Sequence, residues 1–339
     1  MKSNEFINIL AALPEQIEKA QDICSRVKVD LPEKINAVYI AGMGGSGVAG
    51  LLAKSILSEN LKIPVELIRD YAAPFAMTKN SLLVAVSYSG NTEETLSVVA
   101  QAEKRRVPMV FISSGGKLAE LAEAKKIDIF EIPKGYQPRA ALGFLLIPLL
   151  YIFEKLKMAP GLKEDLAEAV IELKKLCGEI GPGVSPHQNE AHKLAAKICK
   201  TFPLIYSSAA LYPAAYRFKC QLNENAKLLA HAGEMTESNH NEIEGLCALK
   251  RGAHNHSLLY LRSERDSERT KKQMEITKSL VGAQLGGVRE IFPRGKSLLC
   301  QMLSLVYFLD MVSAYVAEVN GTDPAEIGTI LKLKKELSR

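Results

Sequence analysis

Two segments rich in glycine and hydroxyl groups carry the residues best suited to holding an anion. The first, GMGGSG at 42–47, stands between a β-branched run and a helical stretch and includes Gly45 and Ser46. Glycines at a strand-to-helix turn let the backbone approach a ligand, and the helix that follows presents free amide hydrogens to negative charge. The second, SYSGNTEET at 87–95, places Ser87, Ser89, Thr92 and Thr95 around Gly90 at another such turn. Hydroxyls and amides in that position make a neutral cradle for a phosphate. Neither segment settles its ligand by itself. Gly42, Gly44 and Gly47 also satisfy G-x-G-x-x-G, and Glu66 or Asp70 offers a ribose ligand, so a dinucleotide stays open beside a sugar phosphate. A tight turn that binds nothing, or an ordinary helix cap from Ser89 or Asn91, accounts for the same letters. No G-x-x-x-x-G-K-[ST] occurs, which argues against a nucleoside triphosphate site.

Metal and redox chemistry find less material. His254 and His256 would face one side of a strand, but no third ligand stands nearby in sequence. His187 and His192 are assigned to the surface. The six cysteines, from Cys24 to Cys300, form no Cys-x-x-Cys and are read as thiols without bridges. The expectation is no cofactor and no metal.

These segments need a scaffold. The first 155 residues alternate strand-like and helix-like runs: strands at 37–41, 64–68, 82–88, 108–112 and 127–132, with helices at 46–59, 92–104 and 117–124. Near-continuous apolar runs suit strands covered on both faces, and the alternation predicts an α/β fold with a parallel sheet. Residues 156–186 pass through a helical stretch into Gly178, Gly181, Pro182, Gly183 and Pro186, a composition typical of a boundary. Beyond it the rhythm resumes, with strands at 202–206, 257–261 and 288–292 and helices at 212–229, 264–279, 298–319 and 324–337. The reading is two open parallel sheets flanked by helices: a domain over 1–155, a linker over 156–186 and a second domain over 187–339.

Composition narrows the class. With 339 residues, 47% hydrophobic and 24% charged, the chain has material for two cores. Lys plus Arg at 43 against Asp plus Glu at 38 leaves a net charge of +5, too mild to suggest a nucleic-acid partner. The apolar stretch Ala141 to Phe153 is thirteen residues and contains Pro148, short of the 18 or so that a spanning helix needs. The first residues lack the basic start of a secretory signal. A cytoplasmic location with no membrane partner is expected.

GMGGSG followed some forty residues later by SYSGNTEET resembles the sugar isomerase (SIS) domain. PRAALGF at 138–144, QLNENAK at 221–227, ESNHNEIEG at 237–245 and DPAEIGTILKLKKEL at 323–337 extend the resemblance to the bifunctional phosphoglucose/phosphomannose isomerases, in family order over nearly the whole chain. The resemblance implies that Gly45, Ser46, Ser87, Ser89 and Thr92 hold a sugar 6-phosphate. It implies Glu224 as the base, His240 as the ring-opening histidine, Lys334 as its assistant, and Arg139 beside the reacting carbons. It further implies a homodimer with shared active sites, small-molecule sugar phosphates as substrates, and a cis-enediolate intermediate. One departure stands out: EMTES precedes His240 where relatives more often carry a proline-led stretch, which bears on loop shape.

The chemistry is consistent with those residue types. Moving a proton between C1 and C2 needs a carboxylate base, a group to handle the ring-oxygen proton, and a cation that cannot itself deprotonate. Each residue has a plainer reading too. Glu224 lies near Lys219 and Lys227 and could form a surface ion pair. Lys334 sits in a basic run with Lys332 and Lys335, any of which could be the functional lysine or part of a solvated face. Arg139 follows Pro138 at a helix start, against the dipole preference, which is weak support for function. Two rivals remain at this level. A nicotinamide-dependent oxidoreductase would use GMGGSG, and a non-catalytic sugar-phosphate sensor would use the cradle without a base. Sensors of that type usually add a DNA-binding domain, for which no room is expected before Val38 or after Lys334.

Overall fold

In the computed structural model, residues 3–249, 255–282, 285 and 288–337 are described. The chain opens with helices α1 (Ser3–Ala11) and α2 (Leu13–Arg26), then runs β1 (Ala37–Ala41), α3 (Gly44–Ile56), β2 (Val65–Ile68), β3 (Ser81–Val86) and α4 (Glu93–Lys104). There follow β4 (Met109–Ser113), α5 (Gly116–Lys125), β5 (Asp128–Glu131), a 3-10 turn at Pro138–Ala140, α6 (Leu142–Lys155) and α7 (Leu162–Ile180). The rest comprises α8 (Glu190–Ile198), β6 (Phe202–Ser207), α9 (Tyr212–Asn225), β7 (His231–Glu234), α10 (Met235–Ser238), α11 (Glu242–Ala248) and β8 (His256–Leu261). It ends with α12 (Glu268–Val281), β9 (Val288–Ile291), α13 (Leu298–Val319) and α14 (Gly328–Leu337).

Two compact units result. One is Ala12–Val170; the other combines Met1–Ala11 with Ile171–Arg339. The division falls inside α7, within the stretch expected as a linker. Gly178 does not interrupt that helix, because a lone glycine costs it only about 1 kcal/mol. The first eleven residues depart from the expected 1–155 domain. Phe6, Ile7 and Leu10 of α1 are buried, α1 packs on α13, and Tyr307 of α13 donates to the Ala11 carbonyl at 3.2 Å.

The Ala12–Val170 unit is built on a five-stranded parallel sheet in the order β2-β1-β3-β4-β5. Every residue of SLLVAV in β3 is buried, as a central strand covered on both faces requires. Tyr39, Ala41, Leu83, Ala85 and Phe111 pack against Val98, Val99 and Ala102 of α4 and Leu118 and Ala122 of α5. On the other face α3 packs closely on the sheet: a Cβ on Gly50 would stand 3.0 Å from the Ile40 side chain and 3.1 Å from that of Leu67. Helix α2, absent from the sequence reading, packs against α6, which begins at Leu142 rather than at the Arg139 start expected from the sequence. Pro148 stands inside α6 without ending it; the helix is buried almost throughout, and that burial outweighs the missing hydrogen bond.

The second unit carries a four-stranded parallel sheet in the order β7-β6-β8-β9. Leu204, Tyr206, Leu258 and Tyr260 face Met235, Leu246, Met274 and Val281. Helix α9 ends at Asn225, four residues short of the sequence expectation, and Lys227 just beyond takes a left-handed backbone. Helix α13 is long and apolar enough to cross a membrane by length and composition, a stretch the sequence reading did not weigh as a span; 94% of its most apolar window is buried in the protein. His192 is half-buried against the Tyr315 ring, centroids 5.3 Å apart, rather than on the surface. His254 lies outside the described residues.

Candidate active site

In the Ala12–Val170 unit, order β2-β1-β3 makes the C-terminal ends of β1 and β3 a topological switch point, where open α/β sheets leave a crevice. GMGGSG leaves the end of β1 and SYSGNT the end of β3. Ser46, in the first turn of α3, is buried and its hydroxyl accepts from the Tyr88 amide at 3.3 Å. Ser87, also buried, shares a 2.9 Å hydrogen bond with Thr92. Thr92 is the N-cap residue of α4, and its hydroxyl is turned to Ser87 rather than used as a cap. Ser89 is exposed at the turn tip and accepts from the Asn91 amide at 3.2 Å. Gly90 has φ +69 and lies against Gly115 with no space for a side chain, which locks the second segment onto the β4–α5 loop.

Arg139 is brought to the same crevice. Gly45 lies directly against Pro138 and Arg139: a Cβ on it would stand 2.8 Å from the Pro138 carbonyl oxygen and 3.1 Å from the Arg139 Cα. The arginine side chain is 4% exposed and sits in the 3-10 turn Pro138–Ala140 rather than at the start of an α-helix. Two residues that sequence reasoning missed hold the segment that leads into this turn and the turn itself. Tyr88 donates to the Pro133 carbonyl at 3.0 Å and accepts from the Tyr136 amide at 2.7 Å. Burial pushes its phenol pKa up, so it stays a donor. Gln16 of α2, almost fully buried, donates to the Ala140 carbonyl at 2.8 Å and accepts from the Gly143 amide at 3.2 Å. Ser46, Ser87, Thr92, Gly45 and Arg139 therefore gather at one end of one sheet. Lys134 adds a cation beside Gly115 at the rim, one that proximity in sequence could not reveal.

In the second unit, half-buried Glu224 occupies the last turn of α9. Two polar locks fix that helix on α13. The Arg217 guanidinium grips the buried Asp310 carboxylate at 2.6 to 3.1 Å, and Asn225 donates to Ser313 at 2.9 Å. Lys227 then ties Glu224 to the segment that leads into α14. Its ammonium donates to the carbonyls of Glu224 at 3.0 Å, Asp323 at 2.6 Å and Glu326 at 2.9 Å. A cation at a helix C-terminus satisfies carbonyls that lack intrahelical partners. Asp323 and Glu326 lead into α14, which carries Lys334, exposed like its neighbours Lys332 and Lys335; burial does not distinguish the three.

His240 lies on a separate element from Glu224: the exposed turn between α10 and α11, its amide donating to the Glu237 carbonyl at 3.0 Å. The sequence reading has this segment as a loop; in the structure two short helices frame the histidine. Glu242, first residue of α11, accepts from Tyr206 at 2.5 Å. Burial and the Glu242 carboxylate both push the Tyr206 phenol pKa up, which keeps it protonated. A cleft of about 790 Å3 in this unit is lined by Glu179, Lys193, Arg289 and Phe292 among others, and its lining contains none of Glu224, His240 and Lys334. Among the described residues no cluster of three metal-ligating side chains occurs.

Comparison with known proteins extends this geometry. Residues 33–134 match the SIS domain family, and residues 187–337 match the bacterial phospho-glucose isomerase C-terminal SIS domain. A bifunctional phosphoglucose/phosphomannose isomerase of Caldicellulosiruptor bescii is 38% identical over 96% of this chain and 97% of its own. A protein of the same description from Thermoplasma volcanium is 36% identical over 90% of this chain and 92% of its own. Among solved structures, a hypothetical protein from Thermus thermophilus superposes with a TM-score of 0.77 at 18% identity, covering 98% of this chain and 90% of that one. The last likeness shows the fold alone. Two SIS-type parallel-sheet domains, expected from the sequence, are what the chain contains.

Proposed function

Because the chain belongs to the family of bifunctional phosphoglucose/phosphomannose isomerases, we propose that it interconverts glucose 6-phosphate and mannose 6-phosphate with fructose 6-phosphate. The observation that carries the reading is the convergence of Ser46, Ser87 and Thr92 hydroxyls with the Arg139 turn at the β1/β3 crevice. Such a cradle suits a phosphate monoester held by hydroxyls, amides and the α3 and α4 N-termini. Gly45 and Ser89 complete it.

The proposed chemistry follows from the substrates. The ring of the aldose opens, with His240 moving a proton at the ring oxygen and Lys334 assisting. Glu224 then takes the proton from C2, giving a cis-enediolate, and returns it to C1 while the hydroxyl proton passes between O2 and O1. Glucose 6-phosphate and mannose 6-phosphate differ only at C2, so both collapse to one enediolate once that proton is gone. One base serves both substrates when rotation about the C2–C3 bond turns the C2 hydrogen of either epimer to its side. Arg139 stabilises the negative charge that develops on the enediolate and, as a guanidinium, does not compete as an acid. The resemblance carries a homodimer in which His240 serves the neighbouring subunit's substrate. The oxidoreductase and sensor alternatives gain no support from the relatives' names.

Incubation with fructose 6-phosphate, followed by separation of the sugar phosphates, tests the activity. Appearance of both aldose phosphates supports it, and unchanged substrate at high enzyme concentration rejects it. The shared site has its own test. Mixed dimers of inactive Glu224→Gln and His240→Ala chains regain activity if one chain supplies the histidine for the other's base, and stay inactive if each chain serves itself.

A further inference from the structure

The turn that carries His240 is held on both sides by contacts that the proton chemistry does not itself require. Before it, Asn239 Oδ1 accepts a 2.9 Å hydrogen bond from the hydroxyl of Thr277, a buried residue of α12. After it, Glu242 opens α11, and Asn241 caps that helix by accepting from the Glu242 amide at 2.6 Å. Glu242 Oε2 accepts from Tyr206 Oη at 2.5 Å, and His231 Nε2 stands 2.9 Å from the same oxygen without an aligned hydrogen bond. Tyr206 is paired across the sheet with Gly233 of β7. A Cβ on Gly233 would meet the Tyr206 ring at 2.8 Å, so the glycine leaves space for that ring beside His231, centroids 5.8 Å apart. A tyrosine hydroxyl on a ring only 2% exposed needs an acceptor, and Glu242 supplies it.

We propose that Glu242, clamped by Tyr206 and His231, is a positioning residue that sets the placement of His240. This rests on the reading of His240 as the ring-opening group. His240 is exposed and two residues from Glu242, so the short capped helix start transmits the anchor directly to the turn. Proton transfer demands near-contact geometry, and a displacement of about 1 Å costs on the order of 10²-fold in rate.

The test compares Glu242→Ala, Glu242→Gln and Tyr206→Phe. Glu242→Ala is expected to lower kcat by roughly 30- to 100-fold, the scale of such a displacement, with KM within about threefold. Glu242→Gln keeps an oxygen for Tyr206 and should recover most of that loss. The His240 ring signals in histidine-labelled NMR spectra, recorded without substrate, should shift and broaden in Glu242→Ala. A folded Glu242→Ala protein with unchanged kcat and unchanged His240 signals overturns the proposal, as does Glu242→Gln performing no better than alanine. If Glu242→Ala does not fold, Tyr206→Phe decides the matter by the same two readouts. Should the wild type show no isomerase activity, the functional reading fails, while the NMR comparison still decides whether Glu242 places His240.

Discussion

Gly45 and Arg139, 94 positions apart in sequence, touch backbone to backbone: a Cβ on the glycine would stand 3.1 Å from the arginine Cα. Both the turn that opens the proposed phosphate cradle and the turn that presents the guanidinium depend on this approach. Gly45→Ala forces the Pro138–Ala140 turn outward, since the obstructing atoms are backbone. The expected cost is about 1–3 kcal/mol of stability, as for other overpacked sites. kcat/KM should fall by more than tenfold as Arg139 leaves the place proposed for it beside the enediolate, measured alongside the melting temperature. An alanine variant with wild-type kinetics would mean that the guanidinium's placement does not depend on this contact.

The lock between Arg217 and Asp310 holds α9, and with it Glu224, on α13. Truncating one partner leaves a buried charge uncompensated, so Asp310→Ala should lose about 3–5 kcal/mol in denaturant unfolding. The double variant Arg217→Met with Asp310→Leu should recover much of that stability, because the desolvation of both charges disappears together.

Acid should weaken the second unit through Glu290 on β9. Burial pushes its pKa up, but the hydrogen bonds and charges of Lys278 and Arg262 outweigh that and hold it below the ordinary 4.5. A depressed carboxylate contributes stability that is fully present above its unfolded pKa and is lost as pH falls through the folded one. The unfolding free energy should therefore decline as pH drops below about 4.5, and Glu290→Gln should reduce the slope there while lowering stability at neutral pH. Denaturant melts from pH 7 to pH 3 check both signs.

The sheets were legible because their strands are dense in branched apolar residues: AVYIA, SLLVAV and HSLLYL each stand where the run of letters suggests. HAGE in β7 carries no such signal; it is a strand because β6 and the helices around it supply its partners. Helix α2 escaped because an early proline and a mixed face disguise the buried spacing of Leu13, Ile17, Ala20 and Cys24. The two glycine- and hydroxyl-rich turns between strand and helix could be placed from their letters. What holds Arg139 could not, since Gln16 reaches Ala140 across 124 positions and Tyr88 reaches Pro133 across 45. The same limit applied to Lys227, whose link from Glu224 to the segment leading into α14 is a property of the folded chain.

The central claim is that Glu224 moves a proton between C2 and C1 of a phosphate-anchored sugar. The most direct measurement is proton NMR in heavy water of glucose 6-phosphate with wild-type protein and with Glu224→Gln. The wild type should form fructose 6-phosphate and introduce deuterium at C2 of the recovered aldose, and Glu224→Gln should bind the sugar phosphate without exchange. Exchange that persists in Glu224→Gln would contradict the assignment of the base, and a wild-type protein that binds the sugar without any exchange would contradict the isomerase reading itself.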